Sequence, residues 1–242
     1  SLGAKASFGG FDKGSLSVFE KNIFGMGHEF GIEIPYDSKF TDSPGFGVNY
    51  KINNISKTFL NLGMYYNDGL GEKTYGFDLS RKLISTSTKY AGNISIREMF
   101  TSDDLDSLPV PAPVKYNLQD YWLLRSFLLN AKSAMRLILG ARYTNNNVFS
   151  HPFILPESYH NLQQYKMFLG SASFSVQKYY KASLVYGYGR TEDIPYGILL
   201  NITLGKEINE FKERGYLATS ISMGGSVKSL GYFYTSAGLG SY

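Results

Sequence analysis

Asn22-Ile23-Phe24-Gly25-Met26-Gly27, running directly into His28-Glu29-Phe30-Gly31-Ile32-Glu33-Ile34-Pro35-Tyr36, reads as a turn followed by a strand. In the second piece Phe30, Ile32, Ile34 and Tyr36 fall on one side, and Glu29, Gly31 and Glu33 on the other. A period of two belongs to a β-strand; a helix would repeat its face every ~3.6 residues. Gly25 and Gly27 supply the backbone angles that a tight connection needs. Ser15-Leu16-Ser17-Val18-Phe19-Glu20-Lys21 precedes the turn, so the whole unit reads as a β-hairpin.

The same rhythm extends over most of the chain. Residues 45–53 set Phe46, Val48, Tyr50 and Ile52 against Gly47, Asn49 and Lys51. Residues 59–66 set Leu60, Leu62, Met64 and Tyr66 against Asn61 and Gly63, and residues 74–82 alternate Tyr75, Phe77 and Leu79 with Gly76, Asp78 and Ser80. The clearest case is 134–144, where Met135, Leu137, Leu139, Ala141 and Tyr143 oppose Arg136, Gly140 and Arg142. Residues 164–176, 179–188 and 197–205 repeat the pattern, 215–225 and 231–242 follow it more weakly, and 2–9 open the series. The spacing predicts about thirteen or fourteen strands of roughly eight to thirteen residues, close to the roughly 9–11 that cross a bilayer. The side opposite the apolar one carries Gly, Ser, Asn, Arg and Glu, which suits a polar lumen. The fold expected is all-β: a transmembrane antiparallel up-and-down β-barrel of about sixteen strands, with tyrosines at strand ends as interface anchors. A water-soluble sandwich or propeller is the competing reading, because alternation alone does not separate the two.

Composition points the same way. Aromatics make up 16%, with 20 Tyr and 17 Phe against a single Trp. Charged residues are 18%, below the roughly 25% usual in soluble domains. There is no cysteine, which removes disulfides and thiolate metal sites. The net charge of +4 is spread without a Lys/Arg run, so a nucleic-acid partner is not expected. No run of about 18 apolar residues is present, so no transmembrane helix is expected. Residues 101–113, acidic and proline-rich, and residues 145–162, with Pro152, Pro156 and two histidines, read as long loops; 190–196 and 207–214 read as shorter polar breaks. No linker divides residues 1–242, which read as one domain. No leader is visible at the start, so an exported protein would be represented here by a mature or partial chain.

Residues 2–68 resemble the opening of the barrel in the BamA-type superfamily, the outer-membrane assembly and secretion proteins that join periplasmic POTRA domains to a sixteen-strand barrel. In that family the second strand runs into Asn-x-Phe/Leu-Gly-Thr-Gly and directly on to an alternating third strand. Asn22, Phe24, Gly25 and Gly27 occupy those places here. Tyr65-Tyr66-Asn67-Asp68-Gly69 is similar to the turn after the family's fifth strand. Leu79-Ser80-Arg81-Lys82-Leu83 and Thr88-Lys89-Tyr90-Ala91-Gly92 are similar to the sixth and seventh strand regions of Bacteroidota-like members. The resemblance covers about the first 100 residues; beyond them only the strand rhythm continues. It implies that about two strands follow Tyr242, and no part of residues 1–242 reads as a POTRA domain. The family's sixth extracellular loop carries Arg-Gly-Phe/Tyr and packs inside the barrel. The matching place reads Gly189-Arg190-Thr191-Glu192-Asp193-Ile194-Pro195, without the Gly-Phe. The resemblance makes Arg190, with Glu192 and Asp193, the candidate loop anchor, because a guanidinium can pair with lumen carboxylates.

Catalysis finds little support. The three histidines are His28, His151 and His160, and Glu157 between the last two gives no recognised metal spacing. Neither a Gly-x-Ser-x-Gly elbow nor a P-loop occurs. No enzyme activity, cofactor or metal is therefore expected. Arg81, Arg97, Arg125, Arg136 and Arg142 recur within strands and are expected to pair with lumen acids such as Glu33, Asp78 and Asp120, or to line a basic interior.

The function implied by the resemblance is assembly, insertion or secretion of other proteins at the bacterial outer membrane. The candidate lateral gate is the first strand: Leu2, Gly3, Ala4, Lys5, Ala6, Ser7, Phe8 and Gly9. Its glycines and polar residues would keep it weakly zipped, and an exposed edge can template an incoming strand through backbone hydrogen bonds. The expected partners are outer-membrane lipid, substrate barrel proteins and other outer-membrane or periplasmic proteins of an assembly complex. A passive pore or structural accessory subunit on the same barrel is the alternative.

Overall fold

The computed structural model describes residues 2–23, 25–83, 88–103, 112–183, 191–227 and 231–242. They form one antiparallel sheet of thirteen strands in which each strand pairs with its neighbours in sequence. The strands are β1 (Leu2–Phe8), β2 (Lys13–Ile23), β3 (His28–Asp37), β4 (Phe46–Ile55), β5 (Leu60–Gly69), β6 (Glu72–Arg81), β7 (Tyr90–Asp103), β8 (Ala112–Asn130), β9 (Met135–Ser150), β10 (Tyr165–Ser183), β11 (Thr191–Asn209), β12 (Glu213–Val227) and β13 (Gly231–Ser241). The expected all-β, up-and-down architecture is therefore present. Among the described residues no strand joins β1 to β13.

The register keeps side chains on consistent faces across the sheet. Leu16, Ile34, Tyr66, Leu79, Ile94, Leu123, Leu139, Ile202, Leu204 and Leu217 all fall on one face. Asn49, Tyr65, Asp78, Arg97, Asp120, Arg142, Ser171, Thr203 and Ser220 fall on the other. The apolar face is the exposed one: Leu123 is 61% accessible, Leu204 58% and Ile202 52%. Among the described residues, five hydrophobic side chains are buried, against eight polar or charged ones. That inverts the ordinary preference of apolar groups for the interior.

One row of paired residues runs Arg81, Gly92, Leu123, Ala141, Gly170, Leu204, Leu217, Ser241. It starts at the last residue of β6 and ends at the last residue of β13, at the opposite end of the sheet. Such stagger is what tilted barrel strands require. Connections alternate between the two ends. One, the turn end, collects β2–β3, β4–β5, β6–β7, β8–β9, β10–β11 and β12–β13; the loop end collects the others, including the longest, residues 151–164.

Several expected boundaries are corrected. The stretches 164–176 and 179–188 belong to one strand: β10 has 19 residues, as do β8 and β11, more than the thirteen expected at most. Gln177 and Lys178 interrupt the apolar alternation but not the backbone ladder, where they pair with Gly197 and Tyr196. β8 escaped the periodicity because Tyr121-Trp122-Leu123-Leu124 is apolar on both faces. Residues 191–196, expected as a loop, begin β11 and pair with β10 alone, since the pairing of β11 with β12 stops at Gly197. A strand flanked on one side accepts Pro195 at little cost. Residues 145–150 finish β9, and the break over 207–214 shrinks to residues 210–212. β7 continues to Asp103 and β8 starts at Ala112, so the expected loop over 101–113 is shorter too.

Candidate functional site

The polar face carries its densest chemistry where residues 151–164 fold back onto it at the loop end. Glu207 on β11 is fully buried. Arg214 on β12 donates to Glu207 Oε1 from Nε at 3.0 Å and from Nη2 at 2.8 Å. From the loop, His160 Nε2 lies 3.1 Å from Glu207 Oε2. His160 also stacks on Tyr165 with ring centroids 4.7 Å apart, and the Arg214 guanidinium sits 3.8 Å from the Tyr242 ring centroid. Burial raises the Tyr242 phenol above its usual pKa, and the negative charge on Glu207 adds to the effect.

Amides complete the attachment. Asn146 Nδ2 donates to the carbonyls of Asn161 and Gln163 at 2.9 and 2.8 Å. Gln163 Nε2 donates to the carbonyls of Pro156 and Ser158, and its Oε1 accepts from Asn209 Nδ2 at 2.6 Å. Val114, Ile154 and Leu162 form a small buried cluster beneath, with Tyr116 and Tyr159 against it. A loop of this length is held down by buried carboxylate, amide and apolar contacts together.

Further along the polar face, Arg142 grips Asp120 bidentately, Nε to Oδ1 at 2.6 Å and Nη2 to Oδ2 at 3.1 Å, and Thr144 adds a bond to Oδ1. Arg136 Nη1 donates to Ser126 at 2.7 Å. The pairing expected for Arg142 and Asp120 is present. The five strand arginines divide, however: Arg97, Arg136 and Arg142 lie on the polar face, while Arg81 and Arg125 lie on the apolar one.

The hairpin that opened the sequence is built as its residue types require. Gly25 and Gly27 both have φ +73°. Asn22 Oδ1 accepts from the Gly27 amide at 2.7 Å and closes the turn, whose Gly25 and Met26 amides bond the Asn22 and Ile23 carbonyls. Phe24 lies outside the described residues.

The candidate gate residues Leu2, Ala4, Ala6 and Phe8 fall on the apolar face, and Gly3, Lys5 and Ser7 on the polar one. β1 is the shortest strand described, seven residues, and pairs with β2 throughout. Ser7 and Ser15 hydroxyls meet at 2.7 Å across that pair. The Phe19 ring covers Gly3 so closely that a Cβ there would stand 2.6 Å from ring carbons. Gly9 lies just beyond the strand, its amide bonded to the Lys13 carbonyl.

Arg190, the candidate loop anchor, lies outside the described residues. Glu192 and Asp193 sit in β11, paired with Ala182 and Lys181, and Asp193 is exposed. β10 and β11 meet at the turn end, the end that also holds the Asn22 turn. Residues 151–164, at the opposite end, fold onto the polar face, and Glu207 anchors them. Sequence reasoning missed Glu207, Arg214, Asn146 and Gln163. A signal was available in Glu207, a carboxylate two residues beyond Gly205 on the polar alternation of β11.

No metal-holding group of three or more His, Cys, Asp or Glu occurs among the described residues. No family model, curated protein or solved structure matches this chain.

Proposed function

We propose that this chain forms the wall of an outer-membrane β-barrel that assists the assembly or secretion of other outer-membrane proteins, with β1 as the strand that receives a substrate. The supporting observation is the inverted sheet: a continuous exposed apolar face over thirteen strands, backed by a polar face that carries the buried charges. A lone sheet with that face in water would expose an apolar patch far beyond the few hundred Å² that soluble monomers tolerate. Lipid removes the penalty, and transmembrane barrels alternate in this way. Strands of 19 residues exceed what roughly 30 Å of hydrocarbon needs, so the outgrown β10–β11 hairpin would stand clear of the membrane.

The assembly reading rests on the resemblance of residues 2–100 to BamA-type barrels and on the character of β1. It is short, bears Gly3 beside Ala4 and Ala6, and presents an outer edge with no strand partner among the described residues. Such an edge can add a strand through backbone hydrogen bonds alone, which needs neither cofactor nor nucleotide. The partners would be barrel substrates, lipid and other envelope proteins of an assembly complex, with no nucleic acid and no enzymatic reaction. The folded-in loop argues against the alternative of a permanently open pore, because it occupies the polar face at the loop end.

Site-specific photo-crosslinkers at positions 4 and 6 of the full-length protein in cells test this. Adducts with nascent barrel proteins are expected there and not from Phe77 in the middle of the sheet. A folded protein giving no adduct anywhere in Leu2–Phe8 would overturn the assembly role.

A further inference from the structure

Two arginines stand on the face that carries the apolar side chains. Arg81, the last residue of β6, pairs with Gly92, and Arg125 on β8 pairs with Tyr90, so the two cations flank Tyr90 across three neighbouring strands. The Arg125 guanidinium lies 5.4 Å from the Tyr90 ring centroid and 4.7 Å from that of Phe127. Among the described residues neither arginine forms an ion pair, and Arg81 Nε is buried with no hydrogen-bond partner. The undescribed residues nearest in sequence, 84–87, are Ile-Ser-Thr-Ser and contain no carboxylate. A guanidinium on a lipid-facing surface is costly unless an anion accompanies it.

An apolar groove of about 990 Å³ leads away from Arg81 along the exposed face, toward Lys206. Gly92 and Gly170, which lack side chains, and Ala141, with only a methyl, lie along its length, and Leu123, Phe168 and Leu204 line it too. Arg81 and Tyr90 line its start. A groove of hydrocarbon character that begins at Arg81 and Tyr90, with Arg125 over the Tyr90 ring, matches a lipid with an anionic head and apolar tails.

Charge at the two ends of the sheet fits the same occupant. By sequence the six connections at the turn end carry Lys57, Lys82, Lys89, Lys132, Arg190 and Lys228 and no carboxylate. Those at the loop end carry Asp12, Asp42, Asp104, Asp106, Glu157 and Glu210 against two lysines. The turn end, where Arg81 sits, is thus the end suited to a layer of anionic headgroups.

We propose that Arg81 and Arg125 bind the phosphate-bearing headgroup of an anionic membrane lipid, with an acyl chain lying in the groove over Gly92, Ala141 and Gly170. The inference rests on the reading that the apolar face meets lipid.

Native mass spectrometry of the detergent-purified full-length protein, titrated with equal amounts of phosphatidylglycerol and phosphatidylcholine, tests it. Near-surface cations favour anionic lipid by about fivefold each, so the wild type is expected to retain phosphatidylglycerol preferentially by up to roughly 25-fold. The double variant Arg81→Gln/Arg125→Gln is expected to bring the ratio near one. Arg81→Lys/Arg125→Lys keeps both charges and is expected to keep most of the preference, which guards against a folding defect. Lys39→Gln/Lys212→Gln, at the loop end, is expected to change nothing. Equal retention of the two lipids by the wild type, or a preference that survives the Gln pair, would overturn this site while leaving the membrane reading standing. Retention of neither lipid would overturn both.

Discussion

Glu207→Ala is expected to release residues 151–164 from the polar face. The substitution leaves the partly exposed Arg214 guanidinium without its fully buried carboxylate and His160 without its acceptor. Removing one partner of a fully buried charge pair costs about 3–5 kcal/mol, and the partial access of Arg214 to water lowers that figure here. Among the described residues the loop keeps one further ionic contact, His151 Nε2 to Glu210 Oε2 at 3.7 Å just past β11, and Asn146 and Gln163 still hold it by amides. Digestion of the membrane-embedded protein with chymotrypsin reads the change, since Phe153, Leu155 and Tyr159 lie in the loop. Rapid cleavage there in Glu207→Ala, against slow cleavage in the wild type, is the expected result. Glu207→Gln keeps hydrogen-bonding atoms and is expected to fall between the two. A loop as protected in Glu207→Ala as in the wild type would show that the carboxylate is not its anchor.

Ile202→Arg carries the second large effect. Ile202 is 52% exposed at the middle of the apolar face of β11. If that face were in water, an arginine there would change stability by no more than about 0.5 kcal/mol. Against lipid near the midplane the same change costs about 2–4 kcal/mol. Equilibrium unfolding from lipid vesicles, followed through the single tryptophan, Trp122, measures it. Thr203→Arg, one residue on and on the polar face, is expected to be far milder. Equal costs at 202 and 203 would contradict the assignment of faces.

Much of this architecture was written locally. The Asn22–Gly27 turn could be read because its glycines need positive φ and its asparagine has an amide to cap, both of which are consequences of sequence distance five or less. Strands with one apolar and one polar face, such as β9 and β11, announced themselves by period two. β8 did not, because Trp122 and Leu124 place apolar bulk on the polar face as well. The anchor of the folded loop was beyond reach for a different reason. Glu207 meets His160 across 47 residues, and Asn209 meets Gln163 across 46, so only the folding of residues 151–164 back onto the sheet brings them together. The same holds for Arg81 and Arg125, which sit on the apolar face although strand arginines were expected to look inward.

The chain has no cysteine, which makes single cysteines placed along β11 clean reporters of what each face meets. With a membrane-impermeant maleimide applied to the protein in vesicles with both sides accessible, cysteines at 201 and 203 are expected to react. Those at 200, 202 and 204 are expected to react only after detergent is added. Reaction at 200, 202 and 204 as fast as at 201 and 203, in intact vesicles, would mean that the exposed apolar face meets water, and the membrane account would be wrong.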